Sequence, residues 1–180
     1  MSTFPIAMRS ICVFLFLLLP ASLCAAPFDR FEGTYTGEAE FTFEGQTQRR
    51  DMSTTIKATK TGFTLVWTSV SYKDDGRSKA KTYQISFVPS ARENIYTSAM
   101  KTNVFGKEVP LDPLKGEPFV WAKLEGDTLS VFSLYIDETG DYEIQEFHRT
   151  LVAEGLDLKF HLFKKGAPQK EIRTLLRRKD

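Results

Sequence analysis

Short turn signals cut this chain into pieces too brief for long helices. They read "EGQ" at 44–46, "KTG" at 60–62, "DDG" at 74–76, "EGD" at 125–127, "ETGD" at 138–141, "EG" at 154–155 and "KKGAP" at 164–168. Between them lie runs rich in Thr, Val, Phe, Tyr and Ile, the residues that suit a pleated, half-buried surface. The pattern predicts an all-β fold: one antiparallel meander of about 8–10 strands, closed as a barrel or folded as a sandwich, with one long ordered loop. The predicted strands are 33–44, 47–58, 62–72, 78–88, 94–101, 119–125, 128–137, 141–153, 156–163 and 169–177, the last also readable as a short helix.

Period-two alternation supports these strands and assigns their faces. Phe63, Leu65 and Trp67 share one face, against Thr64, Val66, Thr68, Val70 and Tyr72. Lys81, Tyr83, Ile85 and Phe87 oppose Thr82, Gln84 and Ser86. Leu156, Leu158, Phe160 and Leu162 oppose Asp157, Lys159 and His161. The run "LSVFSLYI" at 129–136 is apolar on both faces, as in a central or covered strand.

The chain opens with the marks of a signal peptide: Arg9, an apolar run from Ile11 to Leu19, Pro20 and the small residues of "ASLCAAP". The run is shorter than the roughly 20 residues a membrane-spanning helix needs. The expected organisation is a signal peptide over 1–25 and a β-barrel domain over 26–180, placing the mature chain in the periplasm or outside the cell. Lipidation at Cys24 is the alternative, disfavoured because the bulky Leu23 precedes it. Both cysteines, Cys12 and Cys24, lie in or beside this leader, so the mature domain is expected to hold no disulfide and no thiol chemistry. Its core alone must stabilise it, and a domain of this size can bury one.

Charge is segregated. Residues 46–107 hold 11 basic and 4 acidic residues, and residues 108–157 hold 3 basic and 12 acidic. The mature chain has no basic surplus, which argues against a nucleic-acid partner. Two readings of the segregation stay open: ordinary solvated strand faces, or a two-signed surface that orients an envelope protein partner or an amphiphilic ligand.

Within "FEGTYTGEAEF", Gly33, Tyr35 and Gly37 form G-x-Y-x-G at the start of the first long strand. This opening resembles the calycin superfamily of lipocalins, fatty-acid-binding proteins and nitrobindins, whose first strand carries G-x-W. The resemblance implies a barrel with Tyr35 plugging one end, and a small apolar ligand inside. Its nitrobindin branch further implies a haem-ligating histidine near the C-terminal end, for which His161 is nearest in position, although His161 lies opposite the apolar face of its strand. The expected cofactor is otherwise none.

Catalytic motifs are missing. There is no H-E-x-x-H, H-x-H or G-x-S-x-G, no phosphate-cradling loop and no dinucleotide fingerprint. The two histidines stand thirteen residues apart, and no metal site is expected. Glu146 and His148, two apart on one strand face, are the remaining enzyme candidate, either as a polar pair inside a cavity or as part of an exposed face. The segment "NVFGKEVPLDPLKGEP", 103–118, combines Val104, Phe105, Val109, Leu111 and Leu114 with three prolines, so it reads as an ordered flap that either gates a ligand or plugs a barrel end. The expected ligand-binding residues are Trp67, Phe105, Leu111, Trp121, Tyr135 and His148. The functional expectation is an exported, non-enzymatic barrel for a small hydrophobic or amphiphilic ligand, with a protein-interaction module as the alternative.

Overall fold

A computed structural model describes residues 27–43, 45–72, 76–99, 101–102, 108–109 and 111–179, with 101–102 and 108–109 described as backbone only. The predicted signal peptide over 1–25, Cys24 and Phe105 lie outside the described residues. The strands are β1 Gly33–Phe43, β2 Gln46–Ala58, β3 Phe63–Tyr72, β4 Ser78–Pro89, β5 Ile95–Ser98, β6 Lys101–Thr102, β7 Glu108–Val109, β8 Phe119–Glu125, β9 Thr128–Ile136, β10 Tyr142–Val152, β11 Gly155–Lys164 and β12 Ala167–Lys179. All but β6 and β7 join one antiparallel sheet in the order β1-β12-β11-β10-β9-β8-β5-β4-β3-β2, and β1 pairs with both β2 and β12, which closes the barrel. The closure is uneven: β4 pairs with β5 only over Phe87–Pro89, so its Ser78–Ser86 stretch has β3 as its one ladder partner among the described residues. The tail at 169–177 is strand, not helix: it pairs in register with β11, from Lys170 opposite Leu162 to Arg177 opposite Gly155.

The loop predicted to hold no strand does contain a minimal one. Glu108–Val109 pairs with Lys101–Thr102, a ladder of two residues each. The next residue in the sequence is Pro110, which has no N–H to continue a ladder. A 3-10 turn follows at Pro113–Lys115, where the Asp112 side chain accepts a hydrogen bond from the Leu114 N–H (3.1 Å) and Gly116 adopts φ 75°. This turn packs against β9.

Up-and-down topology sorts the connections into two ends. The turns at 59–62, 90–94, 126–127 and 153–154 lie at one end, together with the start of β1. The C-terminal ends of β1, β3 and β5, the start of β8 and the turns at 137–141 and 165–166 lie at the other. The first end is sealed by aromatics. Phe63 stacks on Phe87 (centroids 4.8 Å apart) and meets Tyr96 edge-on (5.4 Å), and Phe28 packs on Phe63 and Tyr96. Phe31 and Tyr35 are fully buried there, and the Tyr35 hydroxyl donates to the Phe31 carbonyl (2.9 Å). The Arg178 guanidinium stands 5.6 Å from the Tyr35 ring centre and donates to the Glu32 carbonyl. Burial raises the Tyr35 pKa, and Arg178 opposes that shift.

Gly37 in the G-x-Y-x-G opening has a packing reason. A Cβ there would lie 2.4 Å from the Leu175 carbonyl oxygen of β12, so only glycine lets the two backbones approach this closely. Arg149 is the largest fully buried side chain among the described residues. It stands on the inward face of β10 between Leu129 and Leu158, with its guanidinium 5.3 Å from the Phe147 ring centre. Its Nε and Nη1 have no hydrogen-bond partner among the described residues, and burial pushes its pKa down to about 10. The group is still charged at neutral pH, so its desolvation cost persists under ordinary conditions.

Candidate functional site

The barrel is filled at the sealed end and hollow toward the other. The hollow is a cavity of about 510 Å³, within the size range of small-ligand sites. Strand register explains its layering. Across β2, β3 and β4 the inward rows run Ile56–Leu65–Ile85, then Thr54–Trp67–Tyr83, then Met52–Ser69–Lys81, then Arg50–Ser71–Lys79. The side chains therefore change from aliphatic, through aromatic, to cationic on going outward.

On the opposite wall, Phe147, Phe160 and Ile172 continue the apolar layer. Gln145, Glu143, Tyr135 and Lys170 continue the polar one. Trp67 is the central aromatic, stacked on Tyr83 (5.1 Å, 24°) and packed on Phe147 (5.7 Å).

The charge lining the cavity is one-sided. Among the described residues, Arg50, Lys79, Lys81 and Lys170 line the cavity together with one carboxylate, Glu143. Arg50 is half-buried and packs over the Phe41 ring (5.1 Å). Burial lowers its pKa, a sign that its charge is incompletely solvated. Its Nε–H has no acceptor, and the Ser69 hydroxyl two residues outward of Trp67 has no partner either, among the described residues. Both atoms are buried within residues that line the hollow, and neither has a partner there to offset its burial.

The six residues expected to contact ligand divide. Trp67 and Tyr135 line the cavity. Trp121 does not, because Val120 and Ala122 hold the inward positions of β8 and the indole must face out, where it stacks on Phe132 (5.1 Å, 14°). That stack also explains why 129–136 is apolar on both faces. Leu111 is half-buried on the segment at the open end and does not line the cavity, whereas Pro118 of the same segment does. Phe105 is outside the described residues.

His148 also faces out. Glu146 and His148 do form a pair (3.2 Å), but on the outer wall, because the alternation that turns Phe147 and Arg149 inward turns them away. The same parity places His161 on the outer wall beside them, away from the cavity.

The lining residues beyond the expected contacts include the cations and their serine neighbours, and the apolar Phe147, Phe160 and Ile172. One signal was present: Lys81 has the same parity as Tyr83, Ile85 and Phe87 and therefore had to point inward with them. No family model matches the chain, and no curated protein matches it.

Proposed function

We propose that this protein is an exported, lipocalin-like, non-enzymatic barrel that binds or carries a small amphiphile with an apolar body and an acidic head. The observation that carries this reading is Arg50: a half-buried guanidinium with an unpartnered Nε–H, one row outward of the Met52–Ser69–Lys81 level at which the cavity lining turns from aromatic to cationic. An anionic head at that level would accept from Arg50 and the Ser69 hydroxyl, while the apolar body lies against Trp67, Phe147 and Phe160. Charge-assisted hydrogen bonds in a partly desolvated site are about twice as strong as neutral ones, so the head would fix the ligand's orientation. Export rests on the leader-like opening, and the barrel class on the G-x-Y-x-G strand and ten-strand closure.

The basic run of 46–107 bears on the interaction-module alternative. Three of its cations, Arg50, Lys79 and Lys81, line the cavity, so that part of the charge segregation serves the interior. Native mass spectrometry of gently purified protein, followed by solvent extraction, tests the proposal. We expect one acidic amphiphile per chain, lost on extraction. Protein that is always of apo mass, and whose experimental structure shows side chains filling the hollow, would refute it.

A further inference from the structure

We propose a second site, independent of the cavity: a zinc-class metal site on the outer barrel wall, formed by Glu146, His148 and His161. The three residues each offer a ligand atom within 4.8 Å of the others. Glu146 Oε2 lies 3.2 Å from His148 Nε2 and 3.8 Å from His161 Nδ1. Ligands of a tetrahedral zinc ion, at bonds of roughly 2.0–2.2 Å, stand about 3.4 Å apart. Small side-chain rotations therefore bring the three atoms to coordination distance.

The backbone prepares this arrangement. The β10–β11 hairpin pairs Glu146 directly with His161, and β12 places Glu171 directly opposite His161 on the other side. His148 follows Glu146 by two residues, so both project from the same face. All three side chains are half-buried, with 27–28% of their surface exposed, which spares bound metal from full hydration.

The ring nitrogens turned away from Glu146 also have neighbours, which separates this group from a chance cluster of surface acids. His148 Nδ1 is hydrogen-bonded to the Ser130 hydroxyl (2.8 Å), a residue 8% exposed. Donation from Nδ1–H to that oxygen would leave Nε2 free as a ligand. His161 Nε2 faces Glu171 Oε2 at 3.8 Å while Nδ1 faces Glu146. Metal-binding histidines typically hold their second nitrogen by a hydrogen bond to a carboxylate or another polar group, as Ser130 holds His148, which fixes the ring and raises its basicity; Glu171 stands at ion-pair distance from His161, beyond hydrogen-bond range. Phe132 stands edge-on to His148 (5.8 Å, 81°) and Phe163 edge-on to His161 (6.1 Å, 69°), giving the site apolar flanks. Two imidazoles and a carboxylate suit Zn²⁺ and leave one position for water or an incoming group.

Calorimetric titration of the mature chain with Zn²⁺ tests this site. One Zn²⁺ per chain is expected, and Co²⁺ should show the intense visible absorption of a tetrahedral ion. His161→Gln should weaken binding at least 100-fold, and Ser130→Ala about 10- to 100-fold, the range typical of outer-shell partners. Arg50→Gln should leave it unchanged. Circular dichroism of each variant checks that it has folded, and Glu146→Gln provides a second loss-of-ligand variant if His161→Gln has not. No saturable Zn²⁺ binding, or binding that a folded His161→Gln or Glu146→Gln variant retains in full, would overturn the site.

Discussion

Arg50→Gln should lower affinity for a long-chain carboxylate by about 10- to 100-fold while changing affinity for the corresponding alcohol by less than about threefold. The estimate follows from the worth of a hydrogen bond to a charged group, roughly 1.5–3 kcal/mol, at about 1.4 kcal/mol per tenfold. Arg50 is the cation for which this full value applies. It is half-buried against Phe41, its charge is already poorly solvated, and its Nε–H has no other acceptor among the described residues. Lys79 and Lys81 are more exposed, so solvent and salt screen them and each should matter less. Glutamine keeps much of the side chain's length and polarity, so a loss confined to the acid isolates the charge. Equal loss for acid and alcohol would mean that Arg50 shapes the cavity instead of reading the head.

Tyr35→Ala should destabilise the fold by about 3–5 kcal/mol, as large-to-small changes of buried aromatics do. The ring is fully buried at the sealed end, covered by Arg178, and its hydroxyl closes on the Phe31 carbonyl. Such a loss is a large fraction of the roughly 5–15 kcal/mol that holds an ordinary domain together. Tyr35→Phe retains the ring and removes only the hydrogen bond, so it should cost about 1 kcal/mol. Urea unfolding followed by circular dichroism separates the two: the midpoint should fall far for alanine and slightly for phenylalanine, with the slope unchanged. An alanine variant within about 1 kcal/mol of the parent would show that the sealed end does not depend on Tyr35.

How much of this could be read from the chain differs between wall and site. Strand positions were legible because turn residues and period-two alternation are local properties. The same alternation gave the inward face of β3 and β4, including Lys81. Trp121 departs from the expected inward position because the small Ala122 beside it, fully buried at the β5 junction, takes the inward place.

The histidine cluster was hidden for a different reason. Thirteen residues of separation measure distance along the chain, whereas a hairpin measures it across strands. Once Val152 pairs with Gly155 around a two-residue turn, every partner is fixed, and Glu146 must face His161. The "EG" turn at 154–155 therefore contained that information. The cavity itself was not legible, because filling depends on how side chains of ten strands meet at one level, and no local pattern records that.

The most direct measurement of the central claim follows Trp67 fluorescence in a Trp121→Phe background, which leaves the cavity tryptophan as the sole indole emitter. A long-chain carboxylate and its alcohol analogue are titrated in parallel. A saturable one-to-one change in Trp67 emission is expected for both, with the acid bound at least about tenfold more tightly. Absence of any saturable change, or equal affinity for acid and alcohol, would contradict the claim.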